Sequence, residues 1–390
     1  MKRQLLGVAA ILLSISTYAQ DNPLWMRYCA ISPDGTTIAF TYKGDIYTVP
    51  STGGRASQIT TNPAHDTKPI WSPDGKKIAF ASDRMGSMDI FEVNKEGGIP
   101  KRLTTHSGNE TPVAYKDAGH ILFLANIMPT AEDAQFPSGQ FQQVYEVNTE
   151  GGRPILFSSM PMEDISINHT GNTLLYHDKK GYEDPWRKHH TSSITRDIWL
   201  CSLNGNRTFR KQTAFNGEDR TPVWASDDKS FYYLSEEKGS FNIFKRDIDG
   251  NTSKQITNHT KHPVRFLSAA SNGTLCYGYD GEIYTVKEGA IPQKVQISIV
   301  TDKNDKDLIR QIKRSGATEI SLSSDAKEIA FVLRGDVYVT STEYSTTKQI
   351  TNTPQQERDI HFSPDGRSIV YAAERNGLWQ IYQTLSLIHI

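Results

Sequence analysis

Cysteine is scarce, with 3 in 390 residues, at positions 29, 201 and 276. That spacing offers no zinc cage, no Cys-x-x-Cys redox centre and no disulfide-dense scaffold. Each cysteine lies in an apolar strand-like run and reads as a small buried hydrophobe, with at most one disulfide among the three. Excess charge of one sign is missing too: 43 Lys+Arg stand against 44 Asp+Glu. This excludes a nucleic-acid binder held by a basic face and an acidic solvating tail. Beyond Leu5–Ile15 no apolar run approaches the roughly 20 residues that span a bilayer. No Gly-x-Ser-x-Gly, His-Glu-x-x-His or phosphate loop is present, so no known nucleophile elbow, zinc site or nucleotide cradle is expected, and no cofactor. What the chain does have is aromatic side chains, 17 Tyr, 15 Phe and 6 Trp, far too many for disorder.

At the N-terminus Lys2 and Arg3 precede the short apolar run, and Thr17-Tyr18-Ala19 offers the small residues of a cleavage site. Residues 1–19 therefore read as a secretory signal, with export, into the periplasm of a bacterium, and no retained membrane anchor. Its removal leaves 41 − 44 = −3 charges, from 43 − 2 basic and 44 acidic residues.

One unit recurs eight times. Ser32-Pro33-Asp34-Gly35 returns as Ser72-Pro73-Asp74-Gly75 and Ser363-Pro364-Asp365-Gly366. An aromatic follows six positions after each Asp: Phe40, Phe80, Tyr371. Weaker copies put the anchors at 34, 74, 117, 170, 227, 272, 325 and 365. Each anchor is followed by a branched aliphatic and an aromatic: Ile46-Tyr47, Ile90-Phe91, Val144-Tyr145, Ile198-Trp199, Ile243-Phe244, Ile283-Tyr284, Val337-Tyr338 and Ile381-Tyr382. Several copies add a Gly-Gly turn and a strand such as Gln58-Ile59-Thr60 or Arg102-Leu103-Thr104. Pro presets the turn, Asp accepts from the following backbone and Gly supplies positive φ, so the tetrad is a hairpin connection. Asp34, Asp74 and Asp365 are accordingly structural turn residues rather than acids of a catalytic site. A four-stranded meander of 40 to 57 residues, repeated, buries its faces only by radial stacking, which gives an all-β fold of propeller type.

Residues 302–314 carry 8 charges in 13 positions and interrupt the series. The chain therefore divides into a six-bladed β-propeller over 20–300, a charged linker over 301–314 and the first two blades of a second, truncated propeller over 315–384. Every blade of the first ring finds its four strands in sequence order, the last being 294–300, so closure is expected from side-chain packing and not from an exchanged strand. Leu385 to Ile390 matches the translation of a transposon mosaic-end adaptor, and native sequence is expected to stop near Thr384.

Ile31-Ser32-Pro33-Asp34-Gly35 with Ile38-Ala39-Phe40, Gly44-Asp45-Ile46-Tyr47, Gly97-Gly98 with Pro100-Lys101-Arg102-Leu103-Thr104, and 181–199 together resemble the tricorn-protease homologues and their TolB/WD40-like PD40 repeats. The resemblance covers 24–384. It implies propeller channels that admit peptides or unfolded polypeptide and release products, in a homo-oligomeric serine peptidase whose PDZ domain and S41-type core lie outside this chain. No catalytic residue carries over. A prolyl-oligopeptidase-type propeller and a TolB-like interaction module are the alternatives, and the native sequence beyond Thr384 separates them from the first reading.

The chemically densest segment is 181–199, where Arg187, Lys188, His189 and His190 stand beside Glu183 and Asp184. As a polar insertion at the ring mouth its cations could engage peptide carboxylates. The preferred reading is a structural loop held by internal salt bridges. A metal is disfavoured because neighbours in a strand point to opposite faces.

Overall fold

The computed structural model describes residues 23–127, 141–182, 192–300, 315–344 and 346–386. The chain forms two compact units, Met1–Thr301 and Asp302–Ile390, and every element among the described residues is a strand or turn. The first unit holds six four-stranded antiparallel sheets, each contiguous in sequence: 27–58, 66–102, 111–158, 162–211, 219–255 and 265–294. The second holds a four-stranded sheet at 317–349 and a three-stranded one at 357–385. They are numbered here one to eight. Residues 128–140, the 301–314 linker and the N-terminal signal fall outside the described residues.

The repeated turn works through its side chains. Asp74 Oδ1 accepts from Ser72 Oγ at 2.7 Å and Lys76 N at 3.1 Å, and Ser72 Oγ accepts from Lys77 N at 2.9 Å. Asp34 and Asp365 make the same contacts, with Thr36 N at 3.0 Å and Arg367 N at 3.1 Å. The Ser32 hydroxyl, and then the Thr36 amide, hold the Asp34 carboxyl below its usual range. Replacing Asp74 by alanine is expected to cost about 1 kcal/mol through the lost turn bonds. A urea midpoint equal to that of the parent chain would contradict this role.

The two aromatic signatures are cross-strand partners in all eight sheets: Phe40↔Tyr47, Phe80↔Phe91, Phe123↔Tyr145, Tyr176↔Trp199, Tyr233↔Phe244, Tyr277↔Tyr284, Phe331↔Tyr338 and Tyr371↔Tyr382. Ring centroids lie 5.8 Å apart for Phe40 and Tyr47 and 6.1 Å for Phe80 and Phe91, the range in which aromatic pairs attract. The threonine of the fourth-strand motif has a separate task. Thr60, Thr104, Thr213, Thr257 and Thr351 each accept, at 2.8 to 3.0 Å, the amide of the first or second residue of the third strand of their sheet. Six residues further on, four of them are followed by an acid at or just before the start of the next sheet: Asp66, Glu110, Asp219 and Glu357, all buried. Burial raises Glu110 and Asp219 to about 7, each against the pull of a neighbouring threonine hydroxyl.

Apolar cores lie between successive sheets. Ala39, Ile46, Trp71 and Phe80 join sheets one and two, Ala225, Phe241, Leu267 and Tyr277 join five and six, and Ile31, Phe40, Cys276 and Ile283 join six to one. The sixth seam also repeats the backbone bond of the others. Asp66 N donates to Gly44 O at 2.7 Å, Asp219 N to Arg196 O at 3.0 Å, Val264 N to Phe241 O at 2.9 Å, and Met26 N to Gly281 O at 3.1 Å. The sheets thus close on themselves with a joint of the ordinary kind.

Closure corrects the sequence expectation in one respect. The last strand of sheet six is only Gln293–Lys294. The chain then crosses the seam, and Ile297–Ser298 pairs in parallel with Gly54–Arg55, a segment between the third and fourth strands of sheet one. Gly54 N donates to Gln296 O at 2.8 Å and Ala56 N to Ser298 O at 2.9 Å. Packing between sheets is therefore supplemented by a backbone latch. Gly53 is needed for it: its φ is 92°, and a Cβ there would come within 2.6 Å of Gln296 O.

Candidate functional site: the axial channel

The first strand of each sheet packs against the first strand of the next around the whole circuit, so these strands surround the axis. In five of six the register slips and one non-glycine residue adopts left-handed backbone: Tyr28 (φ 52°), Lys68 (53°), Asp164 (48°), Thr221 (52°) and Phe266 (58°). Such conformations are costly for bulky residues and mark bulges that re-aim a side chain. In sheet three the slip between Pro112 and Ala114 comes without such a residue.

Bulge side chains of neighbouring sheets touch, and their charges act across the axis. Lys68 of sheet two feels the charges of Asp164 and Glu163 of sheet four, although these sheets are not neighbours in the circuit. Its ammonium lies 5.7 Å from the ring centre of Tyr28, and Tyr28 packs against Phe266 at 4.8 Å. Opposite them, Thr221 Oγ1 donates to Asp164 Oδ2 at 2.7 Å. Lys68 makes no hydrogen bond or ion pair to a described residue. Burial lowers its pKa, and the two acids of sheet four only partly restore it.

Behind the constriction stands a charged wall built by sheets four and five. Glu163 accepts from Lys179 Nζ at 2.8 Å, lies 3.2 Å from His177 Nε2 and 3.5 Å from Arg196 Nε. Arg196 continues to Glu218 at 2.8 Å, and Arg220 reaches the same carboxylate at 3.5 Å. Arg220 also lies 4.1 Å from the centre of the Phe241 ring. Burial acts to raise the Glu163 carboxyl, but the His177 hydrogen bond and the charges of His177 and Lys179 prevail and hold it well below the usual range. Burial lowers Arg220 to about 10. The wall sets Lys179, Arg196, Arg220 and His177 around the carboxylates of Glu163 and Glu218, whereas Lys68 has no hydrogen bond or ion pair to a described residue.

Arg187, Lys188, His189 and His190, the cations singled out in the sequence, lie outside the described residues, as do Glu183 and Asp184. The flanks of that segment are ordered into sheet four: Lys180 Nζ donates to Thr195 O at 2.7 Å and pairs with Asp197. Asp34, Asp74 and Asp365 are engaged in their own turns. The sequence reading missed the channel residues, although a positional signal exists. Tyr28, Lys68, Asp164, Thr221 and Phe266 each stand four residues before the start of their turn, at Ser32, Ser72, Asn168, Ala225 and Ala270. Among the described residues no cluster of His, Cys, Asp and Glu is placed to hold a metal ion. A cavity of about 830 Å³ lined by Arg102, His106, Tyr145, Arg153 and the Gly151-Gly152 turn lies between sheets two and three, with no first-strand residue in its lining.

Comparison with known proteins gives a consistent picture. A family model described as the tricorn protease N-terminal β-propeller domain matches residues 23–290. The chain is 25% identical over 281 residues to tricorn protease homolog 1 of Streptomyces coelicolor, covering 71% of this chain and 25% of that protein. It is 27% identical over 330 residues to a tricorn protease homolog of Saccharolobus solfataricus, covering 80% and 28%. The crystal structure of the tricorn protease superposes with a TM-score of 0.66 at 18% identity, over 93% of this chain and 35% of that one. The chain thus spans about a quarter of the length of these curated relatives.

Proposed function

The chain belongs to the tricorn protease N-terminal β-propeller family, and from that premise we propose that its ring is the peptide passage of a longer, exported serine-type peptidase. The observation that carries this reading is the constriction itself. Five bulges aim one side chain each at the axis and present an ammonium with no described partner, an aromatic pair and a hydroxyl–carboxylate pair. An extended peptide offers carbonyls, amides and a terminal carboxylate, and these are the groups such a ring engages. A folded domain is too wide for a passage rimmed by single side chains of neighbouring sheets that touch one another. The ring thereby selects unfolded chains and short products.

The nucleophile and its base belong, on this reading, to a PDZ and S41-type region outside this chain, and the parent is a homo-oligomer scaffolded in part by its propellers. Sheets seven and eight are the opening of a second propeller. Ile320 and Leu322 on one side and Ile381 on the other are left exposed, as inter-blade faces awaiting neighbours would be. Export predicts a mature chain that begins at Gln20, which N-terminal sequencing of the secreted protein checks.

The passage is tested by narrowing it. In the full-length peptidase, Thr221→Trp is expected to lower kcat/KM for peptides of ten or more residues about tenfold, close to 1.4 kcal/mol. Turnover of a dipeptide-sized ester should hardly move, and the melting temperature should fall only by what the lost Thr221–Asp164 hydrogen bond implies. Equal losses on long and short substrates, or no loss on either, reject the channel as the route.

A further inference from the structure

We propose that Cys29 and Cys276 are the two halves of a disulfide that bolts the sixth sheet to the first. Cys29 lies in the first strand of sheet one and Cys276 in the second strand of sheet six. Both thiols are buried, 4% and 0% exposed, in the single core that fills the closing seam. Their backbones converge on one side chain: Ser268 Oγ lies 3.5 Å from Cys29 O and 3.5 Å from Cys276 O, and it accepts from Ile31 N at 3.0 Å.

The repeat supplies an independent argument. Cys29 is three residues before its turn, and Cys276 immediately precedes its cross-strand aromatic. The residues at these two positions share a core at other seams: Ile165 with Leu122, Leu267 with Tyr232, and Ile360 with Ala330. First strand of one sheet and second strand of its predecessor therefore place these positions against each other as a rule. Among those seams, the closing one is where both carry sulfur. Cys201 belongs to the core between sheets three and four and does not compete.

The chemistry is thiol–disulfide exchange with a disulfide oxidant, either a small molecule or a protein. The Cys29 thiolate attacks the oxidant, forms a mixed disulfide and expels one thiolate. The Cys276 thiolate then attacks the Cys29 sulfur and expels the second. The oxidant ends as two thiols, and the protein has lost two protons and two electrons. Burial, and then the hydrogen bond with Cys29, push the Cys276 thiol well above its usual value, so the closed ring reacts slowly. Oxidation belongs to the stage before the seam shuts, and the finished bond is shielded from reductants.

The test uses the full chain, refolded from urea with oxidised and reduced glutathione. Free thiols are alkylated under denaturing conditions and the digest is read by mass spectrometry. The expected result is a linked pair of peptides carrying Cys29 and Cys276, with Cys201 alkylated. Melting should occur several degrees higher than after reduction in urea and refolding without oxidant, and Cys276→Ser should melt the same with or without oxidant. A refolded chain with three alkylated cysteines, or with Cys201 in the linked pair, overturns the proposal.

Discussion

Phe80→Ala is expected to destabilise the first unit by about 3 to 5 kcal/mol, the range for deleting a fully buried aromatic. Phe80 is wholly buried, stacks on Phe91 at 6.1 Å, and fills the core between sheets one and two. The guanidinium of Arg84 lies 5.5 Å from its ring centre. Truncation removes the ring from water-free surroundings and leaves a void that two rigid sheets cannot collapse to fill. Tyr382→Ala deletes a ring at the partner position in sheet eight, where the side chain is only half-buried and its hydroxyl is bonded to Gln380. That change should cost about 1 kcal/mol, since less area is lost. Urea unfolding of the two variants decides the point. Similar costs would mean that burial between sheets is not what the repeated aromatic provides.

Asp219→Asn is expected to stabilise the chain above neutral pH and to do little in acid. Burial, outweighing the Ser235 and Thr213 hydroxyls, raises the Asp219 carboxyl to about 7. Unfolded, it ionises in the ordinary range near pH 4. Between those values the folded chain holds a proton that the unfolded chain has lost, so stability falls as pH rises through this window. Above pH 7 the full penalty applies, up to about 4 kcal/mol. Glu110 contributes in the same direction. Glu163 acts oppositely: its lowered pKa stabilises the fold above the usual carboxylate range and the gain is lost as pH falls below it. The asparagine keeps the size of the side chain and removes the ionisation. A gain of about 2 to 4 kcal/mol near pH 8 that shrinks toward zero near pH 4 is the expected pattern in urea titrations. The same difference at both pH values would show that Asp219 does not stay protonated in the fold.

The propeller architecture was legible in the sequence because its determinants repeat in residue type. Asp34, Asp74 and Asp365 recur as the same residue because one hydrogen-bonded turn requires that side chain, and Phe40 or Tyr277 recur as aromatics because the faces they fill are alike. The channel was not legible for the converse reason. Its position repeats, four residues before each turn, but Tyr28, Lys68, Asp164, Thr221 and Phe266 share no chemistry, since each contributes a different group to one asymmetric constriction. The latch escaped for want of pattern as well: two residues of parallel pairing at Ile297–Ser298 carry no periodicity. Its one trace was Gly53-Gly54, which resembles the hairpin turn Gly97-Gly98, and only the approach of Gln296 O distinguishes them. The acids Asp66, Glu110, Asp219 and Glu357 were hidden by position rather than type, because a charged residue at the start of a strand normally suggests solvent.

The seam between the sixth sheet and the first also imposes an order on synthesis. Sheets two to five each meet a predecessor already present as the chain emerges N-terminal end first, and can pack within the time one repeat takes to appear. Sheet one has no such partner. Met26, Cys29, Ile31 and Ile38 wait for Cys276, Ile283, Val295 and Ile297, and the Gly54–Arg55 edge waits for Ile297–Ser298. At about 5 to 20 residues per second the delay lasts roughly 10 to 50 seconds, during which a finished apolar sheet face is open to any chain nearby. The first sheet to appear is thus the last to be sheltered, and it is where a chaperone has most to protect.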